Sequence, residues 1–157
     1  MLVLRLALLV VSVDNYLYDE DAWSHNSART YSQFGREFAE DILPAVAESF
    51  STYAAGTSRE ELSAAREHFG FLGASFGAYV SYNCLLPDCF DLVSHFAVTG
   101  GGSMDGALLE SQWAARGHSD FALRCLYFGQ GEYDDRQGPE GGYRNLLNDP
   151  AHFSEEN

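Results

Sequence analysis

Apolar and polar residues follow one another along this chain in blocks that predict strands and helices in turn. The first block, residues 1–13, is a Leu- and Val-rich run interrupted by one arginine, a pattern typical of a strand buried on both faces of a parallel sheet. Residues 14–33 are polar and aromatic without a regular period, which predicts a long surface loop. An amphipathic helix is predicted next, because apolar residues recur at every fourth position: Phe34, Phe38, Ile42, Val46 and Phe50.

Two prolines and one capping motif refine the helix boundaries. Pro44 lies inside the first predicted helix and is expected to kink it, because proline removes an internal hydrogen bond. Ser58 and Glu61 have the spacing of a capping box, which predicts that a short helix starts in the connector that follows. Pro87 is expected to end the helix predicted for residues 77–86, because the residue before a proline disfavours helical geometry.

The rest of the chain alternates between short apolar runs and segments of helical length. Strands are predicted for residues 69–74, 92–100 and 121–131, and helices for residues 77–86, 103–117 and 141–150. Such alternation is typical of a doubly wound, mostly parallel sheet, so we predict an α/β fold. With 157 residues, 46% of them hydrophobic, the chain has the size of one domain over residues 1–157.

Composition argues against two classes of partner. Nine Lys and Arg against 23 Asp and Glu give a net charge of -14, and no basic run would neutralise a row of phosphates, so nucleic acid is not an expected partner. The apolar run at residues 1–13 is too short to span a bilayer. It also lacks the basic stretch and the small-residue cleavage site of a signal peptide, so we predict neither a membrane span nor a leader.

The three cysteines, Cys84, Cys89 and Cys125, do not have the paired spacing of a metal site. We interpret them as small buried hydrophobic residues. A disulfide between Cys84 and Cys89 is the alternative in an oxidising compartment, so the redox environment stays open.

The pentapeptide "GASFG" contains the candidate nucleophile, Ser75, between an apolar strand and a helix. A nucleophile elbow has this position, since the turn lifts the serine hydroxyl above the edge of the sheet. Gly73 and Gly77 would let the strained backbone pass close to its neighbours, and the amide of Phe76 would point at a developing oxyanion. The alternative is an ordinary serine between two turn glycines, because the bare G-x-S-x-G pattern also arises by chance.

A catalytic acid is predicted just after a later strand, where "CLYFGQGEYDD" provides Asp134, with Glu132 and Asp135 as fallback acids. A solvated acidic loop is the alternative reading of this cluster. In this kind of fold the histidine follows the acid. Only His152 does so, in a polar stretch with no strand before it, which is more typical of a surface residue; those that precede the acid are His25, His68, His95 and His118.

With these residues in place, the sequence from about Val10 to Asn157 resembles an esterase group of the α/β hydrolases that includes feruloyl esterases and xylanase-linked acetyl or cinnamoyl esterases. The segments that carry the resemblance are "FAEDILPAVAESFSTYA", "AAREHFGFLGASFGAYVSYNCL", "FDLVSHFAVTGG" and "LYFGQGEYD". In such enzymes a long helix precedes an Arg-x-His segment, here Arg66 to His68, which leads into the strand before the serine.

The resemblance implies a serine esterase that acts on acyl groups esterified to carbohydrate through an acyl-serine intermediate. It implies Ser75 as nucleophile, Asp134 as acid, and Phe76, where members often have Met, as the donor of one oxyanion amide. It implies no metal or organic cofactor, and it suggests secretion. It also implies that an upstream oxyanion loop and the region with the catalytic histidine are missing from this chain, so we expect a partial esterase domain.

Aromatic residues in the loop after the first apolar run, Tyr16, Tyr18 and Trp23, are candidates to stack on an aromatic acyl group or a sugar ring. Packing beneath the loop is the alternative for them. Two other functions stay open: an acyltransferase with the same serine, and a binding or vestigial domain whose serine does no chemistry. Exposed sheet edges in a partial domain would favour self-association.

Overall fold

A parallel sheet with helices is the framework of the described part of the chain. The computed structural model describes residues 9–12, 32–100 and 106–129. In these residues the strands β1 (Gly70–Ala74), β2 (His95–Thr99) and β3 (Cys125–Gly129) lie in the order β1-β2-β3. The α-helices are α1 (Phe34–Glu37), α2 (Leu43–Ser49), α3 (Arg59–Ala64), α4 (Phe76–Val80), α5 (Leu86–Asp88) and α6 (Gly106–Arg116). The segments Phe38–Ile42 and Ser81–Leu85 are π-helical, and Arg66–His68 forms a 3₁₀ turn.

Each strand falls within an apolar run that predicts it, and both neighbouring pairs are parallel, so the predicted α/β fold is confirmed. The strands start side by side at one edge, the amino edge, which is formed by Gly70, His95 and Cys125. They end side by side at the carboxyl edge, which is formed by Ala74, Thr99 and Gly129. Side chains at the two edges are therefore a full strand apart.

The two faces of the sheet differ in how they are covered. One face packs against the helices and carries the side chains of Phe71, Phe96, Val98, Leu126 and Phe128. The opposite face carries Leu72 and Tyr127, which are 71% and 58% exposed. Right-handed crossovers that proceed in one direction across a sheet place their helices on the same face, which explains why α4, α5 and α6 cover one side.

The first helical segment buries part of the apolar stripe predicted by its sequence. Phe38 and Leu43 are buried, whereas Val46 is half-buried and Phe50 is 52% exposed. A π-helical turn contains one more residue than an α-helical turn, so Phe38–Ile42 shifts the apolar face by one position. The predicted stripe is therefore confirmed at Phe34, Phe38 and Ile42, which belong to the core or pack against it, and is wrong at Phe50.

Both helical prolines follow a π-helical segment. Pro44 lies in the first two residues of α2, and Pro87 has the same place in α5. The irregularity expected at Pro44 occurs as the π-helical segment just before it. The helical run ends at Asp88, one residue after Pro87, close to the predicted stop. The expected reason is wrong, because Leu86 has helical angles, φ -57° and ψ -45°; proline is tolerated in the first turn that follows such a segment.

The described part of the first apolar run, residues 9–12, is not a strand. Leu9, Val10 and Val11 are exposed, so the predicted burial is wrong for these residues. The physical reason is that these side chains neither belong to the described core nor pack against it. The rest of the run lies outside the described residues. No helix within the described ranges has the length and apolar character needed to cross a membrane.

The loops at the amino edge are held by the buried side chain of Arg66. Its guanidinium donates hydrogen bonds to the carbonyl oxygens of Phe90, Val93 and Ala122 at 2.9, 3.2 and 2.9 Å. These bonds tie the 3₁₀ turn before β1 to the segments that lead into β2 and β3. The capping box predicted for α3 is also confirmed, since the Ser58 hydroxyl accepts from the backbone of Glu61 and the Glu61 carboxylate accepts from the backbone of Ser58.

Two of the three cysteines are buried as predicted. Cys84 and Cys89 lie in the interior and are not joined in a disulfide, and burial raises their pKa values to about 11 and about 12. Cys125 is exposed, so its predicted burial is wrong, because it starts β3 on the face of the sheet without described helices. Within the described residues no group of His, Cys, Asp and Glu side chains has the arrangement of a metal site.

Candidate active site

Ser75 is the residue that joins β1 to α4. Its N–H donates a hydrogen bond to the carbonyl oxygen of Thr99 at 2.8 Å, which attaches it to the end of β2. Its own carbonyl accepts from the N–H of Ala78 at 3.0 Å, which attaches it to the start of the helix. The residue itself is exposed. The sequence-predicted order of strand, serine and helix is therefore present, with the hydroxyl-bearing residue at the carboxyl edge.

The backbone of Ser75 has an unusual conformation. Its φ is 54° and its ψ is -112°, and among the described residues it is the one non-glycine residue with a positive φ. A conformation of this kind costs on the order of 1–3 kcal/mol and persists only when the surroundings enforce it. An ordinary turn serine would have no reason to be strained, so the conformation favours a functional role for Ser75.

A close contact at Gly73 enforces the turn. A Cβ atom added to Gly73 would overlap the carbonyl oxygen of Gly77 and the Oγ of Ser81. Only glycine therefore allows β1 to approach the helix this closely. A Cβ added to Gly77 would meet no described atom within 4 Å, so in the described part of the chain the close approach is made at Gly73.

The carboxyl edge also receives the chain that leads to the predicted acid. Gly100, with φ 70°, donates its N–H to the carbonyl oxygen of Gly129 at 3.0 Å, so the ends of β2 and β3 are tied together. Asp134 follows Gly129 by five positions and lies outside the described residues, as do Glu132 and Asp135. Five residues reach up to about 17 Å, and two strand spacings amount to only about 10 Å.

The described histidines lie at the wrong edge of the sheet to serve Ser75. His95 starts β2 beside Gly70, so about 16 Å of strand separates it from Ser75. The ring of His68, just before β1, stacks on Tyr53 with 3.6 Å between ring centroids. The third, His118, precedes β3, which also starts at the amino edge. Of the remaining histidines, His25 and His152 lie outside the described residues.

His118 is buried in an ionic cluster at the amino edge. Its Nε2 lies 3.4 Å from Oδ1 of Asp91, whose two carboxylate oxygens also accept hydrogen bonds from Arg59, both at 2.7 Å. The Nδ1 of His118 is buried and has no hydrogen-bond partner among the described residues. Burial lowers the pKa of His118, although Asp91 acts in the opposite direction.

This lowered pKa predicts a pH-dependent stability. A histidine whose pKa is lower in the folded than in the unfolded chain stabilises the fold above pH 6.5, and this contribution is lost as the pH falls through the folded pKa. We expect the free energy of unfolding to fall more steeply from pH 7 to pH 5 in the wild type than in His118→Gln, whose amide can still donate to Asp91. Urea titrations at several pH values measure this, and parallel profiles would contradict it.

Phe76 is the first residue of α4, so its N–H lies in the first turn of the helical run, at the carboxyl edge. The sequence-predicted pair Ser75 and Phe76 is thus brought to one place. Sequence reasoning missed two residues that shape this place, Ser81 and Thr99. The spacing of four between Gly77 and Ser81 was a readable signal, because a helical serine often bonds to the fourth preceding carbonyl. Thr99 contributes through its backbone carbonyl oxygen, and nothing in the sequence indicates that contact.

The aromatic candidates Tyr16, Tyr18 and Trp23 lie outside the described residues. Their contact with substrate stays a prediction.

Comparison with known proteins gives one similar sequence and similar solved structures. No known family profile matches the chain. Endo-1,4-beta-xylanase Y of Acetivibrio thermocellus is 33% identical over 72 residues, which cover 46% of this chain and 7% of the xylanase. The structure of FAE is 25% identical with a TM-score of 0.56, over 65% of this chain and 38% of its own.

A serine-to-alanine mutant of the feruloyl esterase module from Clostridium thermocellum, complexed with sinapinate, is 24% identical with the same TM-score of 0.56 and the same coverage of 65% and 38%. The resemblance to feruloyl esterases predicted from the sequence is therefore confirmed, and the described residues have part of the α/β-hydrolase fold of these modules. The chain spans 38% of the length of each solved structure and a smaller part of the xylanase.

Proposed function

We propose that this chain carries the nucleophile of a serine esterase that hydrolyses acyl groups esterified to carbohydrate. The observation that supports it most is the backbone of Ser75, an exposed serine with φ 54° between a strand and a helix at the carboxyl edge of a parallel sheet. The similarity to a feruloyl esterase module and to a xylanase supports the substrate class.

In the first half of the proposed reaction, Oγ of Ser75 attacks the carbonyl carbon of the ester while a histidine takes the hydroxyl proton. The carbonyl oxygen becomes an oxyanion, which the N–H of Phe76 would stabilise. The carbon–oxygen bond to the sugar then breaks, and the sugar oxygen leaves with the proton from the histidine. The acyl group stays on Ser75.

In the second half, water attacks the acyl-serine and gives its proton to the same histidine. The bond to Ser75 Oγ breaks, the serine regains a proton, and the carboxylic acid leaves. The reaction consumes one water and needs no cofactor.

The catalytic acid is assigned from where β3 ends, and the catalytic base is narrowed by where the histidines lie. We assign the acid to Asp134, since the chain after β3 emerges at the same edge as Ser75 and is long enough to return to it. The position of the described histidines argues that the base is not His68, His95 or His118. His152 is the histidine of this chain that follows Asp134, as the order of serine, acid and histidine requires.

The substrate class is tested with feruloylated and acetylated arabinoxylan oligosaccharides incubated with the purified full chain. We expect release of the free carboxylic acid, with the aromatic ester hydrolysed faster if Tyr16, Tyr18 and Trp23 contact its ring. Ser75→Ala is the control and is expected to give the uncatalysed rate. A new ester formed on an added alcohol without release of acid would instead indicate an acyltransferase, and tight binding without turnover would indicate a binding domain.

A further inference from the structure

We infer that Ser81 is a positioning residue that holds the strained turn at Ser75 in its reactive shape. This inference rests on the proposed function, because it concerns how well Ser75 is placed for attack. Ser81 lies six positions after Ser75, and its exposed fraction is 0%. It does not touch the reacting atoms; it acts through the backbone of Gly77 and Gly73.

Ser81 makes two hydrogen bonds to one carbonyl group. Its Oγ donates to the carbonyl oxygen of Gly77 at 2.8 Å, and its backbone N–H donates to the same oxygen and to that of Ala78. A carbonyl with two donors from one residue has little freedom to rotate. The peptide that follows Gly77, two residues after the nucleophile, is therefore fixed in orientation.

The same oxygen and the same hydroxyl lie against the strand. A Cβ on Gly73 would overlap both the Gly77 carbonyl oxygen and the Ser81 Oγ, so the backbone of Gly73 rests directly on this pair. Gly73 precedes Ser75 by two residues and Gly77 follows it by two. The contact of Gly73 with the Gly77 carbonyl oxygen and the Ser81 Oγ, which we call the clamp, therefore holds the turn on both sides of Ser75.

The clamp opposes the relaxation of Ser75. A serine with φ 54° would move to a negative φ if the strand and the helix could shift relative to one another. Two hydrogen bonds hold the residue itself: the Ser75 N–H donates to the Thr99 carbonyl oxygen, and the Ser75 carbonyl oxygen accepts from the Ala78 N–H. These bonds do not fix the distance between β1 and α4. The contact of Gly73 with Gly77 and Ser81 fixes that distance.

The Ser81 hydroxyl also marks a change in the helix. The π-helical segment begins at Ser81, and a serine that bonds to the fourth preceding carbonyl is known to bend a helix. The bond therefore sets the direction in which the first helical turn leaves Ser75. Loss of the hydroxyl is expected to misplace the Ser75 Oγ by a fraction of an ångström, without affecting residues that bind the rest of the substrate.

The test is the rate at which a fluorophosphonate labels Ser75, together with kcat and KM for p-nitrophenyl acetate, in the full chain. We expect Ser81→Ala to lower the labelling rate and kcat by about tenfold with KM unchanged, because attack depends steeply on placement. Ser111→Ala is the matched control, since the Ser111 hydroxyl also donates to a carbonyl of its own helix, that of Leu108 at 2.7 Å, on an exposed surface. The control is expected to keep the wild-type values.

Ser81→Cys provides a second variant with a weaker donor at the same place, and rates are expressed per folded molecule. We expect the labelling rate and kcat of Ser81→Cys to lie between those of the wild type and those of Ser81→Ala. If Ser81→Ala does not fold, a labelling rate of Ser81→Cys equal to that of the wild type overturns the inference. A folded Ser81→Ala with wild-type rates, or one that changes KM alone, overturns it as well. An unlabelled wild type would overturn the proposed function itself, and this inference with it.

Discussion

Replacement of Ser75 by alanine is expected to lower kcat for p-nitrophenyl acetate hydrolysis by a factor on the order of 10⁴ or more. Without the Oγ no acyl-serine can form, and only the weak catalysis by binding and by oxyanion donors is left. Because Ser75 is exposed, the substitution removes no packed atoms, and the variant is expected to fold. Steady-state kinetics of the two proteins under identical conditions measure the effect, and an equal rate in both would contradict it.

Replacement of Ser75 by glycine distinguishes the effect of backbone strain from the effect of the lost hydroxyl. Ser75→Gly also lacks the hydroxyl, so it is expected to be as inactive as Ser75→Ala. It is expected to be more stable than Ser75→Ala by about 1 kcal/mol, since glycine adopts φ 54° without the steric cost that alanine pays. Urea unfolding of both variants measures this difference. An alanine variant that is the more stable of the two would show that the turn is not strained.

Replacement of Gly73 by alanine is expected to destabilise the fold by about 3 kcal/mol. The added methyl group would overlap the carbonyl oxygen of Gly77 and the Oγ of Ser81. One of these atoms belongs to the backbone, so the clash can be relieved only by moving the helix away from β1. That movement would also release the turn at Ser75, so kcat is expected to fall with stability.

Gly77→Ala is the control for this substitution, because it adds the same methyl group four residues away. No described atom lies within 4 Å of the added Cβ, and alanine favours helical geometry over glycine by up to about 1 kcal/mol. We expect Gly77→Ala to be as stable as the wild type or slightly more stable in urea unfolding. Similar losses of stability in Gly73→Ala and Gly77→Ala would contradict the assignment of the close contact to Gly73.

The strands were predictable because each is a short apolar run bounded by glycine or polar residues. Their observed lengths are shorter than predicted, since apolar residues beside a strand can be buried without pairing in it. Leu123 is an example, because it is fully buried yet precedes β3. The capping box at Ser58 was equally readable, since its two hydrogen bonds depend on residues that are close in sequence.

Features that depend on contacts distant in sequence were not predictable. The π-helical segment Phe38–Ile42 moves the apolar face by one residue, and no periodicity in the sequence signals it. The exposure of Val10 depends on which elements pack against it, and that of Cys125 on which face of the sheet it occupies. Of the candidate site, Ser75 and its turn could be predicted, whereas the Ser81 contact needs the helix and strand to be packed together.

The central claim, that Ser75 is the nucleophile, is tested most directly by trapping the acyl-enzyme. The full chain is mixed with p-nitrophenyl acetate, quenched in acid within the first turnover, digested, and examined by peptide mass spectrometry. We predict an acetyl group on Ser75 in the wild type, and no acetylated peptide from this region in Ser75→Ala. Acetyl groups only on other residues, or hydrolysis that continues at the same rate in Ser75→Ala with no acylated Ser75 in the wild type, would contradict the account.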